Sequence, residues 1–116
     1  MLKEIENEKK ELNSTVPLAV KVSPDIKDKE INNISDVLLN NDIEVVIISN
    51  TSDSTRDSLN NIQKHQKGGL SGKPIEEKST YLINKFYKIL NGRIKIIGVG
   101  GVDSGKSAYE KFLAGA

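Results

Sequence analysis

The sequence of 116 residues contains no cysteine, no tryptophan and a single histidine, His65. The absence of cysteine excludes disulfides, thiolate metal sites and cysteine nucleophiles, and a reducing compartment is permitted. One histidine cannot assemble a histidine metal site, so we predict no metal centre. No apolar run approaches the roughly 20 residues that cross a bilayer, and the first residues are too charged for a signal peptide. We therefore expect this chain alone to be soluble and cytoplasmic.

The sequence also lacks an excess of charge of either sign. There are 17 Lys and Arg residues against 16 Asp and Glu residues, which leaves a formal net charge of +1. A dedicated nucleic-acid-binding protein would carry a clear basic excess, so we expect no nucleic-acid partner. Hydrophobic residues make up 36% of the chain, which is enough for one modest core and at most one domain.

Three short apolar runs rich in β-branched residues predict buried parallel strands at residues 17–22, 44–49 and 94–99. A charged, solvated helix is expected within residues 1–15, before the first strand. Each strand is followed by a helical pattern: one opened by Asp25 and Asp28, one from about Ser79 to Asn91, and one around Ala108. The order α-βα-βα-βα predicts an α/β fold with a parallel sheet, and we treat residues 1–116 as part of one domain with three βα units in residues 16–116.

A long polar stretch separates the second strand from its helix. Residues 50–78 exceed the usual length of a loop, about 4 to 6 residues, and loops this long in compact domains are commonly functional. The stretch contains three glycines around a serine, at Gly68, Gly69 and Gly72. Such glycines suit close backbone approach to a flat or anionic ligand, and also an ordinary flexible loop. Arg56 and His65 are expected to be solvated.

The glycine-rich turn after the third strand permits two functional interpretations. Residues 100–107 match the phosphate-loop pattern G-x-x-x-x-G-K-[ST], which is typical of proteins that bind ATP. Such a protein also needs a later strand with an acidic magnesium ligand. A second interpretation is that the backbone amides of Gly100 and Gly101, with the following helix N-terminus, hold the phosphate of a cofactor. A plain tight turn between strand and helix is the structural alternative.

Polar residues interrupt or follow two of the apolar strands. Lys21 lies within the first strand, where a buried cation is costly unless it is paired or serves a ligand; a lysine that reaches solvent from the strand is the alternative. Ser49, Asn50 and Thr51 follow the second strand. An asparagine both donates and accepts hydrogen bonds, which suits recognition of an amide or carboxylate, although it also forms ordinary turns.

Taken in order, five motifs resemble the second half of the dihydroorotate dehydrogenases of the quinone-dependent class. The motifs are PLAVKVSPD at residues 17–25, SNT at 49–51, GGLSGKP at 68–74, IGVGGV at 97–102 and EKFLAGA at 110–116. The resemblance extends over nearly all of the chain from about Val16 onward. The coupling of the glycine-rich loop to the later double glycine at this spacing is its most specific part.

The resemblance implies part of an eight-stranded (β/α)8 TIM barrel that holds FMN at the C-terminal ends of its strands. It assigns FMN contacts to Lys21, Ser49, Gly72, Gly100 and Gly101, and pyrimidine contacts to Asn50 and Thr51. The implied reaction oxidises dihydroorotate to orotate in pyrimidine biosynthesis, with electrons passed through FMN to a quinone at a membrane. Family members often have two threonines after the strand asparagine, whereas Ser52 follows Thr51 here.

By the same resemblance, the chain is expected to be a fragment. The catalytic serine of the family has no counterpart before Lys21, so no catalytic residue is assigned, and the membrane-binding N-terminal helices and the rest of the barrel are expected elsewhere. A truncated remnant without activity is the alternative. A fragment of a barrel should expose strand edges and the apolar side chains Val46, Ile48, Ile96 and Val99. We therefore expect it to aggregate, self-associate or remain partly molten unless the complementary half is supplied.

Overall fold

A computed structural model, which describes residues 1–54, 56–57 and 59–116, contains one three-stranded parallel sheet. Its strands are β1 (Ala19–Val22), β2 (Val45–Ile48) and β3 (Lys95–Gly98), and they lie in the order β1-β2-β3. Lys21 is paired in register with Ile47, which is paired with Ile97. All three predicted strands are confirmed: β1 begins two residues later than predicted, and β2 and β3 are one residue shorter at each end.

Within the described part of the chain, four α-helices accompany the sheet, which confirms the α/β class. They are α1 (Leu2–Glu11), α2 (Asp28–Leu39), α3 (Glu76–Leu90) and α4 (Gly105–Ala114). α1 has no buried residue, as its charged sequence predicts. It is attached near the start of β2, where Lys9 lies 3.8 Å from the Glu44 carboxylate.

Local signals set the ends of the helices. α2 begins at Asp28, one of the two acids predicted to open it, whereas Asp25 lies three residues before the helix. Glu30 accepts a hydrogen bond from the amide of Lys27. α3 begins at Glu76, three residues before the predicted start, directly after a 3-10 turn at Lys73–Ile75 that contains Pro74. A second 3-10 turn, Ile62–His65, also lies in the stretch predicted to be a loop. α3 ends as predicted at Asn91, which adopts the left-handed conformation.

The core lies on one face of the sheet. Alternate strand residues point to this face, and Val46 and Ile48 are fully buried there with Phe86 and Ile83 of α3. Ile31 and Leu38 of α2 belong to the same cluster. Burial of these large apolar side chains supplies the main stabilisation, at about 1.5–3 kcal/mol for each.

The opposite face of the sheet is not covered by any described residue. Ile97 is 49% exposed and Val99 37%, and Lys21 is exposed beside Ile47. The predicted exposure of Val99 is confirmed, whereas the predicted exposure of Val46, Ile48 and Ile96 is wrong. Those three residues have the other parity along their strands, so α2 and α3 cover them.

The strand order accounts for a sheet covered on one face. Three neighbouring parallel strands that are joined in sequence by helices correspond to an arc of a (β/α)8 barrel. In such a barrel the helices lie outside, and alternate residues of each strand point inward. The uncovered face is the inner face of that arc. We call the side chains of Ala19, Lys21, Val45, Ile47, Lys95, Ile97 and Val99 the inner face.

Candidate functional site at the carboxyl ends of the strands

Backbone hydrogen bonds bring together the segments that follow the three strands. The amide of Ser49 donates to the carbonyl of Val99 (3.0 Å), and the amide of Asn50 donates to the carbonyl of Val22 (2.8 Å). The segment after β2 therefore lies between the ends of β1 and β3. Ser49 is buried and its hydroxyl donates to the Asn50 carbonyl, whereas Asn50 and Thr51 are exposed.

Lys21 does not occupy the environment that its apolar neighbours in sequence suggest. The sequence predicted a lysine within a buried strand, but β1 is buried only where it faces the helices, and Lys21 is exposed on the inner face. Of the two interpretations left open by the sequence, the structure agrees with the lysine that reaches solvent, because strand residues of alternate parity point to opposite faces. The ammonium group is thus available to a ligand at the inner face near the strand ends.

The segment after β2 is covered by the glycine-rich loop. Ser52 and Leu70 exchange two backbone hydrogen bonds, of 2.9 and 2.7 Å, in an isolated antiparallel bridge. Gly69 lies so close to Thr51 that a Cβ atom placed on Gly69 would be 1.9 Å from the Thr51 hydroxyl oxygen. Only glycine fits at this point, so the loop and the Asn50–Thr51 segment pack as one unit.

The turn after β3 also depends on glycine. Gly100 and Gly101 have φ values of 109° and 74°, and a Cβ on Gly101 would lie 2.4 Å from Cβ of Glu76. Among the hydrogen bonds of the described residues, none has the amide of Gly100 or Gly101 as its donor. Free amides on such a turn form a suitable site for an anion.

Ion pairs connect this turn to the glycine-rich loop. Lys73 Nζ lies 2.6 Å from Glu76 Oε2 and 3.7 Å from Asp103 Oδ2. The nearby Glu76 carboxylate, and then the charge of Asp103, raise the pKa of Lys73. A hydrogen bond from Ser107 and the charge of Lys73 lower the pKa of Asp103. Gly72, an exposed residue with φ 77° that directly precedes Lys73, is thereby linked to the Gly100–Gly101 turn.

A buried lysine on α4 forms hydrogen bonds with α3 close to the turn after β3. Lys111 of α4 is 2% exposed, and its Nζ donates to the hydroxyls of Ser79 (3.3 Å) and Thr80 (3.1 Å) on α3. The Ser79 hydroxyl donates in turn to the Val99 carbonyl. Burial lowers the pKa of Lys111. No sequence pattern indicates this role, because a lysine on an amphipathic helix is ordinarily solvated.

Asp25 is a second group that sequence reasoning missed, since it was interpreted as a helix-opening acid. Its carboxylate accepts hydrogen bonds from the Ser52 hydroxyl (2.7 Å), the Asp53 amide (2.7 Å) and Lys78 Nζ (2.5 Å). Burial alone would raise its pKa, but the hydrogen bonds from Lys78, Ser52 and Asp53 outweigh burial and lower the pKa to about 2. Asp25 is therefore ionised at all physiological pH values.

The two charged residues singled out in the long loop differ. His65 is exposed, as predicted. The prediction for Arg56 is wrong: its side chain is 19% exposed, and its guanidinium donates to the carbonyls of Gln66 (2.6 Å) and Gly68. Arg56 thus links two parts of the loop, because the five N–H donors of a guanidinium can form hydrogen bonds with several carbonyls at once.

The phosphate-loop pattern at residues 100–107 does not form the site that its sequence suggests. Lys106 is 86% exposed and lies 3.8 Å from Glu110 one turn later on α4. The Ser107 hydroxyl accepts hydrogen bonds from the amides of Asp103 and Ser104, both at 3.0 Å. Ser107 therefore stabilises the helix N-terminus, and the free amides of the turn are the groups left to hold an anion.

Comparison with known proteins identifies the family. The family model described as dihydroorotate dehydrogenase matches residues 1–116. A relative from Idiomarina loihiensis, named dihydroorotate dehydrogenase (quinone), is 47% identical over 107 residues, which are 92% of this chain and 32% of the relative. A relative of the same name from Wigglesworthia glossinidia brevipalpis is 46% identical over 120 residues, covering 100% of this chain and 36% of the relative.

Solved structures agree with the sequence comparison. The crystal structure of DHODH from Eimeria tenella in complex with ferulenol superposes with a TM-score of 0.83 at 40% identity, over 86% of this chain and 27% of that one. The ligand-free form gives a TM-score of 0.81 at 40% identity. The chain spans about a third of the length of the relatives it matches. Over the whole of its length, the chain belongs to the dihydroorotate dehydrogenase family.

Proposed function

We propose that this chain supplies the flavin and pyrimidine contacts of a quinone-dependent dihydroorotate dehydrogenase, on three strands of a barrel that further segments complete. The observation that supports this function best is the convergence of Lys21, the Asn50–Thr51 segment and the free amides of Gly100 and Gly101 at one end of the sheet. In a (β/α)8 barrel this end carries the active site.

The residues present fit an FMN group. The amides of Gly100 and Gly101 donate to no acceptor among the described residues and can bind a phosphate, and a Cβ atom at either glycine would meet neighbouring side chains. When bound at these residues, FMN would supply the acceptor for a hydride from the substrate. Lys21 supplies a positive charge at the inner face, which stabilises negative charge that develops beside it. Ser49 and Gly72 complete the proposed contacts to the cofactor.

The same arrangement fits an acidic pyrimidine substrate. Asn50 and Thr51 are exposed at the strand ends, and their amide and hydroxyl groups can both donate and accept hydrogen bonds. Dihydroorotate carries amide groups and a carboxylate, which such groups recognise. The substrate would be oxidised to orotate, with a catalytic base and the quinone contacts contributed by segments outside residues 1–116.

Membrane association of the complete enzyme is part of the proposal. Among the described residues, no helix combines the length and the apolar character that crossing a bilayer requires. The proposal of membrane association for the complete enzyme rests on the quinone named for its relatives, since quinones are found in membranes. The ATP-binding alternative gains no support from the comparisons, and the exposed position of Lys106 argues against it.

A hybrid enzyme tests the proposed function. In this hybrid, residues 1–116 replace the segment of the Wigglesworthia glossinidia brevipalpis relative that aligns with the whole chain. We expect the purified hybrid to be yellow, to release FMN on denaturation and to oxidise dihydroorotate with a quinone acceptor. The isolated 116-residue chain should show no such turnover, because loss of a general base alone costs about 10²–10⁴-fold.

The unmodified relative, purified in the same way, is the control. A folded hybrid that contains no FMN would show that the chain is a remnant without cofactor contacts. A hybrid that binds FMN but does not oxidise dihydroorotate would retain the cofactor assignment and contradict the substrate assignment.

A further inference from the structure

Three donors from two different parts of the chain converge on one carboxylate. Asp25 lies in the turn between β1 and α2, and it accepts from Ser52 and Asp53 after β2 and from Lys78 on α3. Its oxygen Oδ1 is shared by the Ser52 hydroxyl and the Lys78 ammonium, whereas Oδ2 accepts from the Asp53 amide. We call Asp25, Ser52 and Lys78 the carboxylate clamp.

The clamp fixes the residue that directly follows the proposed substrate contacts. Ser52 is 1% exposed, and its hydroxyl is already hydrogen-bonded to Asp25 and to Ser54, 2.6 Å away. On the other side of the segment, the Asn50 amide is held by the Val22 carbonyl. Asn50 and Thr51 are therefore anchored at both ends while their own side chains remain exposed.

The clamp also holds the glycine-rich loop, which packs against Thr51. The backbone of Ser52 pairs with Leu70, and this pairing places Gly69 against the Thr51 side chain. A shift of Ser52 would therefore move both the substrate segment and its cover. Ser52 stands where family members often have a second threonine, and the clamp accounts for this difference, since either residue provides the hydroxyl that Asp25 requires.

The charge of Asp25 cannot be replaced by a neutral amide. A carboxylate has acceptor sites for all three donors, whereas an asparagine has one acceptor oxygen and an NH2 group that would face a donor. The ammonium group of Lys78, whose side chain is 40% exposed, would also lose its counter-ion. The expected consequence is displacement of the Ser52–Asp53 backbone.

We infer that Asp25 is a positioning residue for substrate binding, which acts through the Ser52 hydroxyl and the Asp53 amide to hold Asn50 and Thr51 in place. This inference rests on the proposed function, since it assumes that Asn50 and Thr51 contact the pyrimidine. Lys78 connects the clamp to α3, and none of the three clamp residues is among the proposed cofactor contacts, so the clamp acts on the substrate contacts.

Asp25→Asn in the hybrid enzyme tests the inference by steady-state kinetics with L-dihydroorotate. We expect kcat/KM to fall by about 10- to 100-fold, mainly through a higher KM, because small displacements of positioning groups have effects of this size. The ratio of bound FMN to protein should remain that of the parent hybrid. A general loss of folding would instead lower the FMN content together with the activity.

Asp28→Asn is the matched control. The Asp28 carboxylate accepts from the Tyr81 hydroxyl (2.5 Å) and lies 3.9 Å from Lys85 Nζ, so it also connects to α3, but it does not contact the segment after β2. Its kcat/KM should stay close to that of the parent. If Asp25→Asn retains parental kcat/KM, or if both variants lose activity equally, the inference is overturned.

Variants of Ser52 decide the question if Asp25→Asn does not fold. Ser52→Thr retains the hydroxyl and should keep a low KM, whereas Ser52→Ala should raise KM as Asp25→Asn does. Equal kinetics for the two Ser52 variants would contradict the clamp. Failure of the parent hybrid to turn over dihydroorotate would count against the proposed function itself, so the two failures are distinguishable.

Discussion

At the scale of single residues, Lys21 offers the most direct test of the proposed flavin contact. Its side chain is exposed on the inner face and contributes little to the core. We expect Lys21→Ala in the hybrid enzyme to reduce the rate of flavin reduction by dihydroorotate by about 10²-fold, the size typical of a lost charge-stabilising group. Rapid-mixing absorbance measurements give this rate, and thermal unfolding should change little.

Lys95→Ala is the matched control for Lys21. Lys95 is also exposed and has the same parity in the sheet, but it lies at the opposite end of the inner face, next to Val45. Flavin reduction should be retained in this variant. Equal losses of rate and stability in Lys21→Ala would contradict a role toward the flavin.

The acid dependence of stability provides a second test at this scale. Because the pKa of Asp25 is lowered from 3.8 to about 2, its ionised form stabilises the folded state above pH 3.8, and this contribution is lost as the pH falls toward 2. After allowance for solvent around Lys78, we expect a contribution of about 1–2 kcal/mol.

Urea unfolding of the parent hybrid and of Asp25→Asn measures this contribution. The difference in the free energy of unfolding between them should be larger at pH 6 than at pH 3. A difference that does not change with pH would show that the ion pair with Lys78 does not stabilise the fold.

At the scale of structural elements, the turn between β3 and α4 depends on the packing of Gly101 against α3. Gly101→Ala places a Cβ atom in the left-handed region and against Glu76. We expect a loss of about 1–3 kcal/mol of stability and weaker FMN binding, since the amides of the turn would be displaced. Urea unfolding and fluorescence titration with FMN measure the two effects.

Gly105→Ala is the control for this turn. Gly105 begins α4, its φ is outside the left-handed region, and a Cβ atom there would have no neighbour within 4 Å. The variant should be neutral or more stable by up to about 1 kcal/mol. FMN affinity that is unchanged in Gly101→Ala would argue against a phosphate site at the turn.

At the scale of the whole molecule, the inner face determines how the isolated chain behaves. Ile97, Val99 and Ile47 lie next to one another on a sheet face that no described residue covers. The outer edges of β1 and β3 are also unpaired within the described residues. We expect the isolated chain to self-associate, because exposed apolar strands and open edges favour pairing between molecules.

Sedimentation velocity of the isolated chain measures this association. Ile97→Lys should shift the distribution toward monomer. Val37→Lys, on the solvent side of α2 with a similar exposure of 50%, should leave it unchanged. A monodisperse monomer with one sharp unfolding transition would show instead that these residues form an autonomous domain.

Much of the architecture could be predicted from the sequence because it depends on local signals. Short β-branched runs located the three strands, and Asn91 with Gly92 located the end of α3. The sequence predicts a start of α3 that is three residues too late, because the pattern of apolar residues begins after the first turn, where Glu76 and Glu77 are charged. The family resemblance was also present in the sequence and is confirmed over residues 1–116.

The sequence alone determined which segments form strands and helices, and which family they resemble. The tertiary structure decided which side of each strand is buried. Residues 45–48 are apolar at every position, so no alternation indicates whether Val46 or Ile47 points toward the helices. The residues that contact Asp25 lie 27 to 53 positions further along the sequence, so local patterns do not reveal them either. Both depend on packing between segments distant in sequence, which only the folded chain brings into contact.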